Sequence, residues 1–168
     1  MTEHRPCNCC GEMTKLSPRF TKNGYVIVRC QMCGLQYVDQ IPTLAELQKI
    51  YSEIFFRVGR KFSVRSESAG LINARQRVEI VRSLPDVGQK HWLDVGCATG
   101  DFLTCATPVV DVVSGIELSA FAAEKAQERN LDVSIGDFLQ TELLNATFDV
   151  VSMWDYIEHV PNPLANLE

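Results

Sequence analysis

From His91 onward, short apolar runs alternate with stretches whose apolar residues recur every three to four positions. Trp92-Leu93-Asp94-Val95, Val109–Glu117, Leu131–Ile135 and Phe148–Met153 have the length and bulk of buried strands. Between them, one helix is predicted from Asp101 to Pro108. A second is capped by Ser119 and runs to about Arg129, with Phe121, Ala122, Lys125 and Ala126 near one face. Upstream, Leu71, Ala74, Val78 and Val81 predict a longer helix from Ser68 to Leu84, stopped by Pro85 and followed by a turn at Gly88. Strands separated by helices imply an α/β fold with a doubly wound, mostly parallel sheet.

The first forty residues follow a different pattern. Cys7-Asn-Cys-Cys10-Gly11 is answered by Cys30-Gln-Met-Cys33-Gly34, and strands are predicted over Gly24–Cys30 and Leu35–Val38. Two C-x-x-C pairs at this separation match a tetrahedral Zn2+ site built from Cys7, Cys10, Cys30 and Cys33, hence a small zinc ribbon. Disulfides are the competing account, but nothing in the chain points to an oxidising compartment. Cys9 is a surplus thiol able to compete with Cys7 or Cys10. So small a unit takes most of its folding energy from the metal. The ribbon is then either a structural element or a wall over a substrate.

Thr43 and Glu46 form a capping box that opens a helix to about Ser52. Tyr51, Phe55 and Phe56 precede the Arg/Lys/Ser-rich segment Arg57–Ser68, read as a connector whose aromatics pack on the main domain or close over a site. The expected organisation is a ribbon over 1–41, a helical linker over 42–88 and a cofactor-binding domain over 89–168.

Composition narrows the function classes. The chain of 168 residues is 46% apolar with a net charge of −5, as in ordinary globular proteins. It has no apolar run of the roughly 20 residues a membrane helix needs. Met1–Pro6 carries no secretory signal, so a cytoplasmic, non-membrane protein is expected. Residues 1–90 hold 14 Lys/Arg against 8 Asp/Glu, whereas residues 91–168 hold 2 against 13. The two halves either attract each other or present solvated faces; alternatively Arg57, Arg60, Lys61, Arg65, Arg75 and Arg77 steer an anionic substrate. An acidic chain without a sustained basic face argues against nucleic acid as a partner.

Candidate chemistry gathers at the predicted carboxyl ends of the strands, where open α/β sheets hold their ligands. Gly96-Cys-Ala-Thr-Gly100 allows a tight turn and close backbone approach before the helix at Asp101. Glu117 ends the second strand 17 residues beyond Gly100, about where a carboxylate accepts both hydroxyls of a ribose. Asp137 follows the third strand, in reach of an adenine amino group.

On these residues the sequence resembles the class I S-adenosylmethionine-dependent methyltransferases, of Rossmann-like fold. L-D-V-G-C-A-T-G-D-F (93–102), G-I-E-L-S (115–119), G-D-F (136–138) and F-D-V-V-S-M-W-D-Y-I-E-H-V-P-N-P (148–163) look like their successive motifs, and the C-x-x-C-G pairs resemble a subset with an N-terminal zinc ribbon. Members of that subset often modify sugars, polysaccharides or secondary metabolites. The resemblance implies S-adenosylmethionine as cofactor and a small-molecule methyl acceptor. Asp94, Gly96, Ala98 and Gly100 would serve the methionine end, Glu117 and Leu118 the ribose and adenine, Asp137 and Phe138 the adenine, with Met153 and Trp154 beside the sulfonium. Ala98 stands where the family more often has Gly. His159 and Asp155 are the expected catalytic pair, His159 serving as base or in positioning. Quinone-ring O-methyltransferases can hold a divalent ion on a similar acid-x-x-Glu-His segment, which would make Asp155, Glu158 and His159 ligands. A complete fold of the family adds three further strands, so the chain is expected to be truncated after its fourth, leaving an open edge for self-association. Two other readings compete. One is a non-catalytic zinc-ribbon binding module; the other, a nicotinamide oxidoreductase, needs a G-x-G-x-x-G turn that G-C-A-T-G does not supply.

Overall fold

In the computed structural model of the chain, residues 5–40, 42–52, 55, 67–88, 90–141 and 147–167 are described. They form two units, Met1–Ala45 with Val160–Glu168, and Glu46–His159.

In the first unit, β1 (Leu16–Lys22), β2 (Tyr25–Cys30) and β3 (Gln36–Val38) make an antiparallel sheet in the order β1-β2-β3. Alternation puts Val28, Cys30 and Tyr37 on one face, where they bury together with Cys7. That core is small for a unit of this length. Arg5 lies over the Tyr37 ring at 4.7 Å, and its Nη1 donates to the Pro161 carbonyl, which ties the 160–167 segment to this unit.

The second unit is built on β4 (His91–Val95), whose residues 92–95 are all buried. β4 pairs in parallel with β5 (Val112–Glu117) on one side and with β7 (Val150–Ser152) on the other. β6 (Asp132–Ile135) extends the sheet beyond β5, giving the order β6-β5-β4-β7. This is the expected Rossmann-like parallel sheet. Because the chain leaves β4 toward β5 and later returns to its other side, the carboxyl end of β4 is the topological switch point. Within the described residues β7 has a single neighbour, β4, as expected of an edge strand.

One face of the sheet packs Trp92 against Val78 and Val81 of α2 (Glu67–Arg82), Phe102, Leu103 and Ala106 of α3 (Asp101–Ala106), and Ala123 and Ala126 of α4 (Ala120–Gln127). The other gathers Leu93, Val95 and Ile116 with Phe138, Phe148, Met153 and Tyr156. The short helix α1 (Leu44–Ile50) ends sooner than its predicted limit at Ser52. No helix among the described residues is long and apolar enough to cross a membrane.

Beyond a one-residue difference at β6, two strands are shorter than their apolar runs. Val109 and Val110 fall in the turn after α3, where the Val109 amide returns to Ala106 and Val110 fills the core. Their hydrophobicity therefore reports a buried corner. At the other strand, the Asp149 carboxylate accepts the amides of Lys90 and His91 at 2.8 and 2.9 Å, pinning the start of β7 beside that of β4.

Leu103 is fully buried at the centre of the larger core. Leu103→Ala should destabilise this unit by about 2–5 kcal/mol. Both tryptophans, Trp92 and Trp154, lie in the unit, so urea unfolding followed by their fluorescence reads the loss; an unmoved midpoint would contradict this packing.

Candidate functional site

The residues after β4 turn back on themselves through three left-handed positions, Gly96 (φ 75°), Ala98 (φ 49°) and Gly100 (φ 81°). The amides of Gly96 and Cys97 bond to Ile116 O, and the Gly100 amide to Cys97 O. Ala98 carries its methyl group at about 1–2 kcal/mol of backbone strain, a cost not visible in the letter itself. A side chain on Gly96 would meet the Tyr156 ring at 2.6 Å.

Glu117 faces this turn. Its Oε2 accepts the Ala98 amide and its Oε1 the Ser119 amide, both at 2.8 Å. The side chain thus joins the glycine turn to the first residues of α4 while being almost fully buried. Burial raises its pKa, opposed by the amide bonds. A carboxylate has about four acceptor positions; the two amides leave capacity for a vicinal diol presented at the crevice.

Asp94, one residue from the end of β4, is also buried and accepts a 2.6 Å bond from Ser152 Oγ. Burial pushes its carboxyl up to about 7; the Ser152 bond and Arg77 oppose this, and Glu117 adds to it. Asp137 starts a single 3-10 turn over Phe138–Gln140, its Oδ1 accepting the Leu139 amide at 3.0 Å. Leu118 and Phe138 are half-buried. Asp137 and Glu117 both act electrostatically on the Tyr156 hydroxyl, whose pKa burial raises to about 12. The expected cofactor residues Asp94, Gly96, Ala98, Glu117 and Asp137 therefore converge at one end of the sheet.

The acceptor side is looser. Asp155 is ion-paired with Arg77 at 2.5 Å, and the Arg77 guanidinium stacks 5.1 Å from the Trp154 ring. His159 lies edge-on to Tyr51 at 6.0 Å, with Nε2 3.9 Å from Glu158. Asp155, Glu158 and His159 do not share a point in space: the cysteine cluster is the one potential metal-binding group found among the described residues. Phe56, Arg57, Arg60, Lys61 and Arg65, expected to close over the site or steer a substrate, lie outside the described residues.

Sequence reasoning misses two residues here, Arg129 and Tyr156, and gives a third, Arg77, a different role. Arg129 clamps the turn through bonds to Thr99 O, Asp101 Oδ1 and Thr104 Oγ1 at 2.6, 2.9 and 2.6 Å. Its signal is rarity, as one of only two cations after position 90. Tyr156 covers Gly96 with no local pattern to mark it, and Arg77, expected among the cations that steer a substrate, is instead paired with Asp155.

In the first unit, Cys7 Sγ lies 3.5 Å from Cys33 Sγ, as does Cys10 Sγ from Cys30 Sγ, and the four sulfurs lie within 4.8 Å of one another. A tetrahedral thiolate site with metal–sulfur bonds of ~2.3 Å has edges of ~3.8 Å, so the donor set fits Zn2+. All seven cysteines are free thiols, and Cys9 is exposed and outside the cluster. The two turns repeat one geometry: Gly11 N bonds to Cys7 O and Gly34 N to Cys30 O, each glycine left-handed.

A glycine turn at the switch point of a parallel sheet, with a carboxylate facing it, defines a Rossmann-like fold of the kind that holds nucleotide-type cofactors. The chain matches the family model for a methyltransferase domain over residues 1–168 and belongs to that family. Among curated proteins, it is 29% identical over 85 residues to a ubiquinone biosynthesis O-methyltransferase of Glaesserella parasuis serovar 5 (strain SH0165), covering 44% of this chain and 36% of that enzyme. It is 31% identical over 91 residues to the corresponding protein of Histophilus somni (strain 2336), covering 48% and 38%. The matched stretch thus spans little more than a third of these relatives. Among solved structures, magnesium protoporphyrin IX methyltransferase from Synechocystis PCC 6803 with bound SAM superposes with a TM-score of 0.58 at 15% identity, covering 75% of this chain and 68% of that one. The plantazolicin methyltransferase in complex with SAH gives 0.57 at 18%, covering 72% and 49%. These superpositions share the fold.

The raised Asp94 pKa carries a sign. An acid that titrates higher in the folded protein than unfolded adds stability that is complete below its unfolded pKa and is lost as pH rises through the folded one. Asp94→Asn should therefore gain stability relative to the wild type between pH 4 and about 7, by on the order of 2–4 kcal/mol. Urea denaturation at stepped pH measures the difference, and a pH-independent difference would remove Asp94 as its source.

Proposed function

We propose that this chain is the cofactor-binding part of an S-adenosylmethionine-dependent methyltransferase acting on a small-molecule acceptor, with Zn2+ as a structural ion in the N-terminal ribbon. The observation that carries the reading is Glu117, held against the Ala98 amide with acceptor capacity left over for a ribose diol. Asp94, Gly96, Ala98 and Gly100 shape the methionine end. Leu118, Asp137 and Phe138 receive the adenine, and Met153 and Trp154 flank the reacting sulfur. When bound, the cofactor supplies a methyl group activated by a positively charged sulfur. The chain's own work is alignment and exclusion of water, the larger part of the barrier reduction in a direct displacement. Tyr51, Tyr156 and Met153 provide the apolar surroundings.

His159 is proposed to take the acceptor's proton, and Asp155, anchored by Arg77, to orient the acceptor. The relatives named as ubiquinone biosynthesis enzymes favour an oxygen nucleophile on a small organic molecule. Sugars, polysaccharides and secondary-metabolite precursors remain the acceptor classes that the ribbon resemblance suggests. Cysteines that hold a metal rather than pair as disulfides would fit a reducing, cytoplasmic setting. No nucleic acid or membrane partner is proposed, and the β7 edge is proposed as the surface of any self-association.

Calorimetric titration with S-adenosylmethionine tests the core of this reading. Glu117→Gln should weaken binding by roughly 30-fold or more, since it removes a charged acceptor from two hydroxyls. Undetectable binding to folded wild-type protein would favour the non-catalytic module instead.

Elemental analysis of reduced, freshly purified protein should find about one zinc per chain, the stoichiometry of a single four-cysteine centre. Cys30→Ser should lose the metal and the ribbon's protease resistance together; a metal-free wild type with an intact ribbon would remove zinc from the account.

A further inference from the structure

The ribbon carries a groove that neither the cofactor fold nor the metal explains. It has a volume of about 490 Å³ and is formed by Ser17, Arg19 and Arg29 against the second cysteine turn, Cys30 to Gly34. That volume lies in the roughly 300–1,000 Å³ range of small-molecule clefts. Among the described residues no carboxylate lines it. Ser17 and Arg29 are direct partners across β1 and β2, and the register shift between Pro18 and Phe20 falls at Arg19. Irregularities of this kind re-aim side chains. The Arg29 guanidinium reaches over the cysteine turn, its Nη2 3.7 Å from where a Gly34 Cβ would stand. Lys15, whose Nζ is 3.6 Å from Met32 Sδ, is not among the residues that line the groove.

The turn's own donors are committed. Gln31 N bonds to Lys15 O and Gly34 N to Cys30 O, while the amides of Met32 and Cys33 point at the Cys30 sulfur. The guanidinia therefore remain as donors for a ligand. Two planar forks around a surface with no described carboxylate match the geometry of a phosphate oxyanion, while the Ser17 hydroxyl donates to the Arg29 carbonyl at 3.4 Å.

We propose that this groove binds the phosphate ester of a small molecule through Arg19 and Arg29. The inference is independent of S-adenosylmethionine binding and of what the cofactor unit does. Its rival is that Arg29 merely balances the two net negative charges of a zinc tetrathiolate.

Phenyl phosphate, titrated into the zinc-loaded full chain and followed by amide chemical shifts, separates the two. Saturable shifts should centre on Ser17, Arg29 and Gly34, and Arg19→Gln and Arg29→Gln should each weaken binding by roughly tenfold, the scale of one charge-assisted hydrogen bond. Benzoate should bind more weakly, and inorganic phosphate no better than the ester. Shifts spread evenly over Lys15, Lys22 and the arginines, or benzoate binding equal to the ester, would overturn the proposal. Tighter binding of inorganic phosphate would also overturn it, assigning the groove to the free ion. Should Arg29→Gln lose its zinc, Arg19→Gln decides alone: unchanged affinity in that variant leaves Arg29 as a counter-charge to the metal and ends the proposal.

Discussion

The second unit depends on one carboxylate bridging two backbone amides. Glu117 ends β5, yet its oxygens are bonded to Ala98, after β4, and to Ser119, at the start of α4. A turn with three left-handed residues has no ladder to hold it, and burying its amides unpaired would cost about 1–3 kcal/mol each. Glu117 supplies one of those partners from the neighbouring strand, and Arg129 closes the outer side through Thr99 and Asp101. The turn is thereby shaped before any ligand arrives, which limits the ordering cost that binding must overcome.

The cysteine ribbon solves a comparable problem by other means. Its buried core amounts to Val28, Tyr37 and two sulfurs, too little apolar surface to order forty residues alone. Four thiols converging within 4.8 Å stand where ligand bonds to a metal would make up that missing bulk. One unit is held by packing around a parallel sheet; on the zinc proposal the other would be held by metal–sulfur bonds, so that a chelator would unfold it alone.

Much of this is legible in the letters because the physics involved is local. The period of apolar residues identifies α2, β4 and α4 to within two residues, and the C-x-x-C-G spacing identifies the four clustered sulfurs. The turn at 96–100 can be read because glycine, at 96 and 100, takes left-handed dihedral angles without strain. What cannot be read is long-range. Val109 and Val110 look like strand residues, and only the packed corner shows that they are core. Asp155 reads as half of a catalytic pair, but its partner Arg77 is 78 positions away, on α2. Tyr156 over Gly96 and Arg129 over Thr99 likewise depend on which elements meet, and no periodicity encodes a single polar contact between them.

The crowding around the glycines limits how this molecule can diversify. A methyl group at Gly115 would run into Cys97 Sγ at 2.6 Å, and one at Gly100 into Leu131 at 2.3 Å. Both positions are therefore closed to drift unless a neighbour shrinks at the same time. Gly11 and Gly24 of the ribbon, by contrast, have open space beside them and are restricted by dihedral angle alone. Replacing either ribbon glycine thus meets a backbone cost alone, whereas Gly115 can change only together with a neighbour, and Gly100 meets both obstacles at once.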